Sequence, residues 1–179
     1  MAAERIHEYR VTNRWTGNRG EGTSDYRSYS RDHELSGAEK TAAIAGSSDA
    51  QFRGDRSRYN PEELLVGAVS ACHMLWVLHL CADAGVVVTE YVDEAWGEMV
   101  EHADGSGEFR RVILRPRMTV GDASRIGDAI HRNEDTRCSA KPLVHRHSGS
   151  EIEEHFLNDC FVRHDNNNVL HRDSGANMN

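Results

Sequence analysis

Lysine is almost absent from this chain. Of the 21 basic residues among 179, only Lys40 and Lys141 are lysines, and 29 acidic residues leave a net charge of −8. No basic stripe interleaved with aromatics runs along any segment, so nucleic acid is not an expected partner. The N-terminal MAAERIHEYR carries charges within its first five residues and has no apolar run, so neither a signal peptide nor an anchor is expected. The expected setting is therefore a reducing cytoplasm, where four cysteines read as thiols or catalytic groups rather than as a disulfide framework. No repeat, P-loop, Rossmann glycine set or nucleophile elbow is present. The glycines of GNRGEG lack the context that a phosphate cradle requires.

What is present predicts an α+β chain. Residues 6–16 and 24–34 carry aromatic and β-branched side chains around GNRGEG, a hairpin signal. Residues 35–59 are small, polar and glycine-rich, and read as a long loop of the kind that is usually functional or disordered. Asn60-Pro61 starts a helix, with Asn60 as its cap, Glu62 and Glu63 in its first turn, and Gly85 as its stop. After VVVTEYVDEAWGEMVEH comes EFRRVILRPRMTV, in which Val112, Leu114, Pro116, Met118 and Val120 alternate with Arg111, Arg115, Arg117 and Thr119, as in a half-buried strand, with Ile113 breaking the pattern. Pro116 lacks an amide donor, which favours an edge position or a bulge. A weaker helix begins near Asp122 and leads towards Cys138. Residues 1–147 form the expected domain; 148–179 read as a divergent and largely disordered tail.

The stretch Leu64–Ala82 holds no formal charge over 19 residues, close to the roughly 20 that a bilayer span needs. Ser70, His73 and His79 interrupt it, and acidic rather than basic residues flank it. A central helix covered by a sheet and a partner subunit is the better reading, with no membrane.

NPEELLVGAVSAC, followed by RVILRPRMTV and a cysteine at 138, closely resembles the OsmC/Ohr family, the osmotically inducible and organic hydroperoxide resistance proteins. The specific part is asparagine, proline, glutamate and a cysteine ten positions beyond that glutamate at a helix start. The 66-residue separation of Cys72 and Cys138 is also similar to the family's spacing. The resemblance implies an OsmC-like fold, antiparallel sheets packed around a long central helix, in an intertwined homodimer. It implies thiol-dependent reduction of organic hydroperoxides, and less well of hydrogen peroxide, with no metal, flavin or other cofactor. By the same resemblance Cys72 is the peroxidatic cysteine and Cys138 the resolving one, closing an intramolecular disulfide. Glu62 matches the glutamate that orients an arginine. Arg53 fits that arginine in one branch of the family, allowing a one-residue gap, and Arg19 in the other; Arg53 is preferred. A dithiol, which the resemblance suggests is a lipoylated protein, recycles the disulfide.

Elementary chemistry asks for the same cast. The thiolate is the nucleophile and apolar burial opposes it, so a mid-helix Cys72, beyond reach of the helix dipole, needs a positive neighbour. An arginine held by a carboxylate supplies one. Glu62 and Cys72 stand about 15 Å apart along a straight helix. A bend near Gly67, a bridging arginine or a partner subunit must therefore join them. Cys81 lies nine residues on, across the helix, and reads as core packing. Cys160 is an alternative resolving thiol. His79 shares the face of Cys72, and a hydrogen-bonded core histidine is the expected reading for it, ahead of one that tunes the thiolate. Arg53-Gly54-Asp55 matches an integrin-binding tripeptide by chance. Two other readings stay open: a redox sensor or non-catalytic binder on the same fold, and a metal-binding structural protein using the C-terminal His145, His147, His155, His164, His171 and cysteines.

Overall fold

A reciprocal cap begins the helix that organises the chain. Asn60 Oδ1 accepts the Glu63 amide at 2.7 Å and Glu63 Oε2 accepts the Asn60 amide at 3.0 Å, so two otherwise orphaned donors are satisfied. Helix α1 then runs from Pro61 to Asp83 with both first-turn glutamates where the dipole favours anions. It ends in a Schellman motif: the Gly85 amide donates to Ala82 O at 3.0 Å and the Val86 amide to Cys81 O at 2.8 Å. Gly85 has φ 69°, a conformation open to glycine at no steric cost, which is why the helix stops where the sequence predicts.

The computed structural model describes residues 5–125, 127–129, 131, 156–158, 161–164 and 169–171. The chain divides into two compact units, Met1–Leu64 and Leu65–Asn179. In the first, β1 (Thr12–Trp15), β2 (His33–Ser36) and β3 (Ile44–Gly46) form an antiparallel sheet in that order. Thr12 pairs with Ser36 and Trp15 with His33. The hairpin is therefore present, but its second strand starts at His33 rather than near residue 24, a correction to the sequence reading. The aromatics between pack on one another instead: Arg31 stacks on the rings of Tyr26 and Tyr29 at 4.1 and 4.3 Å, and Trp15 meets Tyr29 edge-on at 5.7 Å. The expected loop of residues 35–59 contains β3 and a 3-10 turn at Ala50–Phe52.

The second unit holds most of α1 and two sheets. Strand β4 (Val88–Asp93) pairs antiparallel with β7 (Pro116–Val120), and β5 (Trp96–Glu101) pairs antiparallel with β6 (Gly107–Leu114). Three further strands, β8 (Phe156–Asn158), β9 (Phe161–His164) and β10 (Val169–His171), complete the sheets in the orders β10-β9-β7-β4 and β5-β6-β8. β8 joins β6 in parallel and β9 joins β7 in parallel, so both sheets are mixed. Strands β8, β9 and β10 are the described part of the segment after residue 147; the rest of the expected tail lies outside the described residues. Pro116 is the first residue of β7, a strand with neighbours on both sides, and not an edge position. A strand's first residue is one of the places where a missing donor is tolerated.

Two sheets divide one helix between them. Val69 packs with Val112 and Leu114, joined by Val66 and Phe109, against the sheet of β5 and β6. Val77 and Cys81 pack with Val86, Met118, Val120 and Ala129 against the sheet of β4 and β7. At roughly 1.5–3 kcal/mol for each fully buried large apolar side chain, these clusters are what fixes α1 on the sheets. Gly97 lies so close to α1 that a Cβ there would stand 2.6 Å from Val66 Cγ2, which accounts for a glycine inside β5.

Candidate functional site

Between the two clusters α1 turns polar. Residues Val69, His73, Val77 and Cys81 form its buried stripe, at intervals of four. The opposite face is open, with Leu75 at 63% and Trp76 at 43% exposure beside exposed Ala68, Ala71 and His79. Cys72 lies between the two faces, half-buried, and like Cys81 it is a thiol. The contrast is instructive: Cys81 is at 0% exposure, held by the Schellman turn through its carbonyl and packed among valines and Met118. Two cysteines on one helix thus have different access to solvent, and only Cys72 is placed for chemistry with a dissolved reagent.

The residues that anchor this turn come from β4. Ser70 Oγ donates to Asp93 Oδ2 at 2.6 Å, and the backbone amide of Arg115 donates to Asp93 Oδ1, also at 2.6 Å. Tyr91, two residues earlier on the same strand face, bonds through Oη to Nδ1 of His73 at 3.1 Å. A spacing of three on the helix meets a spacing of two on the strand, so both side chains of α1 find partners. Asp93 and Tyr91 were missed in the sequence. Ser70 was the available signal, since a polar side chain within an apolar helix must find a partner when it is buried.

Glu62 sits in the first turn of α1 with Oε2 buried and without a hydrogen-bond partner among the described residues. Arg53 and Arg19 are both exposed, and no ion pair among the described residues joins either of them to Glu62. Arg53 caps the 3-10 turn with φ 65°, a left-handed conformation uncommon outside glycine. Its loop is tied down locally. The Asp55 amide donates to the buried Ser47 hydroxyl at 3.1 Å, Ser47 Oγ donates to Asp32 at 3.2 Å, and the Ser57 amide and hydroxyl donate to Asp55. Those Ser57 bonds hold the Asp55 carboxyl below the usual aspartate range. Arg19 lies in the β1–β2 connection, where Asn18 Oδ1 accepts the amides of Gly20 and Gly22.

His79 corrects the sequence reading. It is exposed and pairs at 3.5 Å with Asp83 one turn on, with the Trp76 ring 5.7 Å away. The buried, hydrogen-bonded histidine is its neighbour His73. Cys138 and Cys160 lie outside the described residues, as do the side chains of the C-terminal histidines. Among the described residues no group of three or more His, Cys, Asp or Glu could hold a metal ion. Helix α1 is long and apolar enough, by length and composition, to cross a membrane, and it is the one such helix among them.

A family model described as OsmC-like protein matches residues 54–153, more than half of the chain. The chain belongs to the OsmC-like family. The matched segment includes Cys72, Glu62 and Cys138. Solved OsmC-like structures share the fold across almost their whole length. A Vibrio cholerae OsmC-like protein of unknown function has a TM-score of 0.69 at 22% identity, over 87% of this chain and 99% of its own. An organic hydroperoxide resistance protein from Elizabethkingia anophelis has a TM-score of 0.56 at 14% identity, over 90% of this chain and 100% of its own. One from Bacillus subtilis has 0.53 at 12%, over 86% and 96%. At such identities the likeness is one of fold. No curated protein matches the chain.

Proposed function

We propose that this OsmC-like chain is a thiol-dependent peroxidase that reduces organic hydroperoxides, and hydrogen peroxide less well. The observation that carries the reading is the half-buried thiol of Cys72 at the polar turn of the family's helix, beside a fully enclosed Cys81. The Cys72 thiolate attacks the terminal oxygen of the hydroperoxide, a sulfur–oxygen bond forms, and the oxygen–oxygen bond breaks. The alkoxide leaves and takes up a proton to become the alcohol. Cys72 is then a sulfenic acid, and attack by the Cys138 thiolate forms a disulfide and releases water. A dithiol, such as that of a lipoylated protein, returns both thiols by exchange.

The orphaned Glu62 oxygen supports the arginine assignment. A buried carboxylate oxygen without a donor is costly, and a guanidinium fork is the partner that best satisfies it. Arg53 takes that role here, with Arg19 the alternative. A homodimer is part of the reading, since the apolar open face of α1 at Leu75 and Trp76 suits burial against a second copy. The cytoplasm, with its reducing poise, is the compartment in which the cycle turns over.

Intact-mass spectrometry of the reduced protein, before and after one equivalent of cumene hydroperoxide, tests the cycle. Loss of two hydrogens with a Cys72–Cys138 linkage in the peptide map is the expected result. Gain of one oxygen on Cys72 without a disulfide would show a sensor-like thiol that lacks the resolving step. No change of mass would return Cys72 to a packing role.

A further inference from the structure

We propose that Asp93 is a positioning residue for Cys72, an inference that rests on the peroxidase reading for its consequence but not for its geometry. Asp93 ends β4 opposite Pro116, at the level where the β4–β5 and β6–β7 connections cross between sheets. The chain passes from β4 to β5 across Glu94 and Ala95 and returns from β6 to β7 at Arg115. Arg115 lies between β6 and β7, where a half-buried amide still needs an acceptor. Asp93 Oδ1 accepts it at 2.6 Å. The other oxygen of the same carboxylate accepts Ser70 Oγ at 2.6 Å, two residues before Cys72. Both bonds are short and charge-assisted, the strong class of hydrogen bond. With Tyr91 on His73 one residue after Cys72, β4 grips α1 on both sides of the thiol. Between the two clusters that fix α1 on the sheets, these bonds hold the turn that carries Cys72, and with it the direction in which the sulfur points.

This role differs from simple stabilisation. Neither hydrophobic cluster contains Ser70 or Asp93, and each is complete without them. A residue that only held the fold would change stability and leave the thiol's behaviour in the folded protein untouched. A residue that aims the sulfur would change how that sulfur meets a peroxide, because attack needs the sulfur aligned with the oxygen–oxygen bond.

The test compares wild type with Ser70→Ala, Asp93→Ala and Asp93→Asn. The asparagine can keep both bonds, its Oδ1 accepting from Arg115 and its Nδ2 donating to the Ser70 hydroxyl, while removing the charge. Cumene hydroperoxide oxidation and iodoacetamide labelling of Cys72 are each followed by peptide mass mapping. Labelling of the enclosed Cys81 reports any unfolding in the same sample. We expect the ratio of the peroxide rate to the labelling rate at Cys72 to fall about tenfold in Ser70→Ala and Asp93→Ala, and to return to within about twofold of wild type in Asp93→Asn. An unchanged ratio in Ser70→Ala overturns the proposal, and so does a fall in Asp93→Ala that tracks Cys81 labelling. If wild type itself does not react with the hydroperoxide, the proposed function fails. The pH profile of Cys72 labelling then decides the positioning role: displaced in Ser70→Ala and restored in Asp93→Asn supports it, and superimposable profiles overturn it.

Discussion

Shortening Val77 to alanine distinguishes the two cysteines of α1 by how each meets solvent. Val77 is fully buried in the cluster that also encloses Cys81, one helical turn away. The change removes two methyl groups, at about 0.8 kcal/mol each for transfer from water. The space left behind adds a cavity cost, so the total loss is about 2 kcal/mol. A reagent reaches Cys81, at 0% exposure, only through an opening of that cluster. Because about 1.4 kcal/mol is a factor of ten in an equilibrium, the open population, and Cys81 labelling with it, rises about 30-fold in Val77→Ala. Cys72 is already half-accessible in the closed protein, so its labelling changes by less than about twofold. Timed iodoacetamide labelling with peptide mass mapping reads both rates in one tube. Equal labelling of Cys81 in the variant and wild type would refute the packing account, as would a parallel rise at Cys72.

The other predictions concern chemistry, capping and charge. Cys72→Ser abolishes peroxide consumption while the circular dichroism spectrum and melting temperature stay near those of wild type. Cys138→Ser permits one turnover and then accumulates sulfinic and sulfonic acid on Cys72, visible as successive gains of oxygen in the intact mass. Arg53→Ala slows single-turnover oxidation of Cys72 more than Arg19→Ala does; the reverse order moves the arginine role to Arg19. Asn60→Ala removes the acceptor of the Glu63 amide and lowers stability by about 1 kcal/mol, measured by urea unfolding. Asp55, whose bonds from Ser57 favour the carboxylate, titrates by NMR below an ordinary aspartate. Its contribution to stability is present above the unfolded-state pKa and is lost as pH falls through the folded-state value; Ser57→Ala moves the titration upward.

The helix was the most legible part of the chain because its signals are local. An asparagine followed by proline and two glutamates, then 19 uncharged residues, then Asp83, Ala84 and a glycine, fixes start, length and stop without reference to anything distant. The inward residues of the stretch from Val112 to Val120 were legible for the same reason. The break at Arg115 was not, because alternation stays in phase as the chain steps from one sheet to the next: Leu114 and Pro116 are both buried, on either side of the step. Periodicity of two records which side is covered, and not which sheet covers it. Tyr26 and Tyr29 misled the strand assignment because an aromatic ring packed on Arg31 in a loop has the same composition signal as one in a strand. At the site, the family pattern selected Cys72 and Glu62. The anchors Tyr91 and Asp93 needed the fold, since strand register alone puts them beside residues some twenty positions away. His79 failed because helical phase groups it with Cys72 but does not say how open that face is.

Helix α1 is the shared axle of two cores, and this has a consequence for cooperativity. Its first half is held by Val112 and Leu114, its second by Met118 and Val120. We expect native-state hydrogen exchange to show the backbone amides of the two halves in separate units of protection, one for each core. The turn from Ser70 to His73 is the border at which those units meet. The Cys72 sulfur lies on that border, between the two cores and inside neither. Its surroundings can be retuned by substitution at the seam while both cores remain intact.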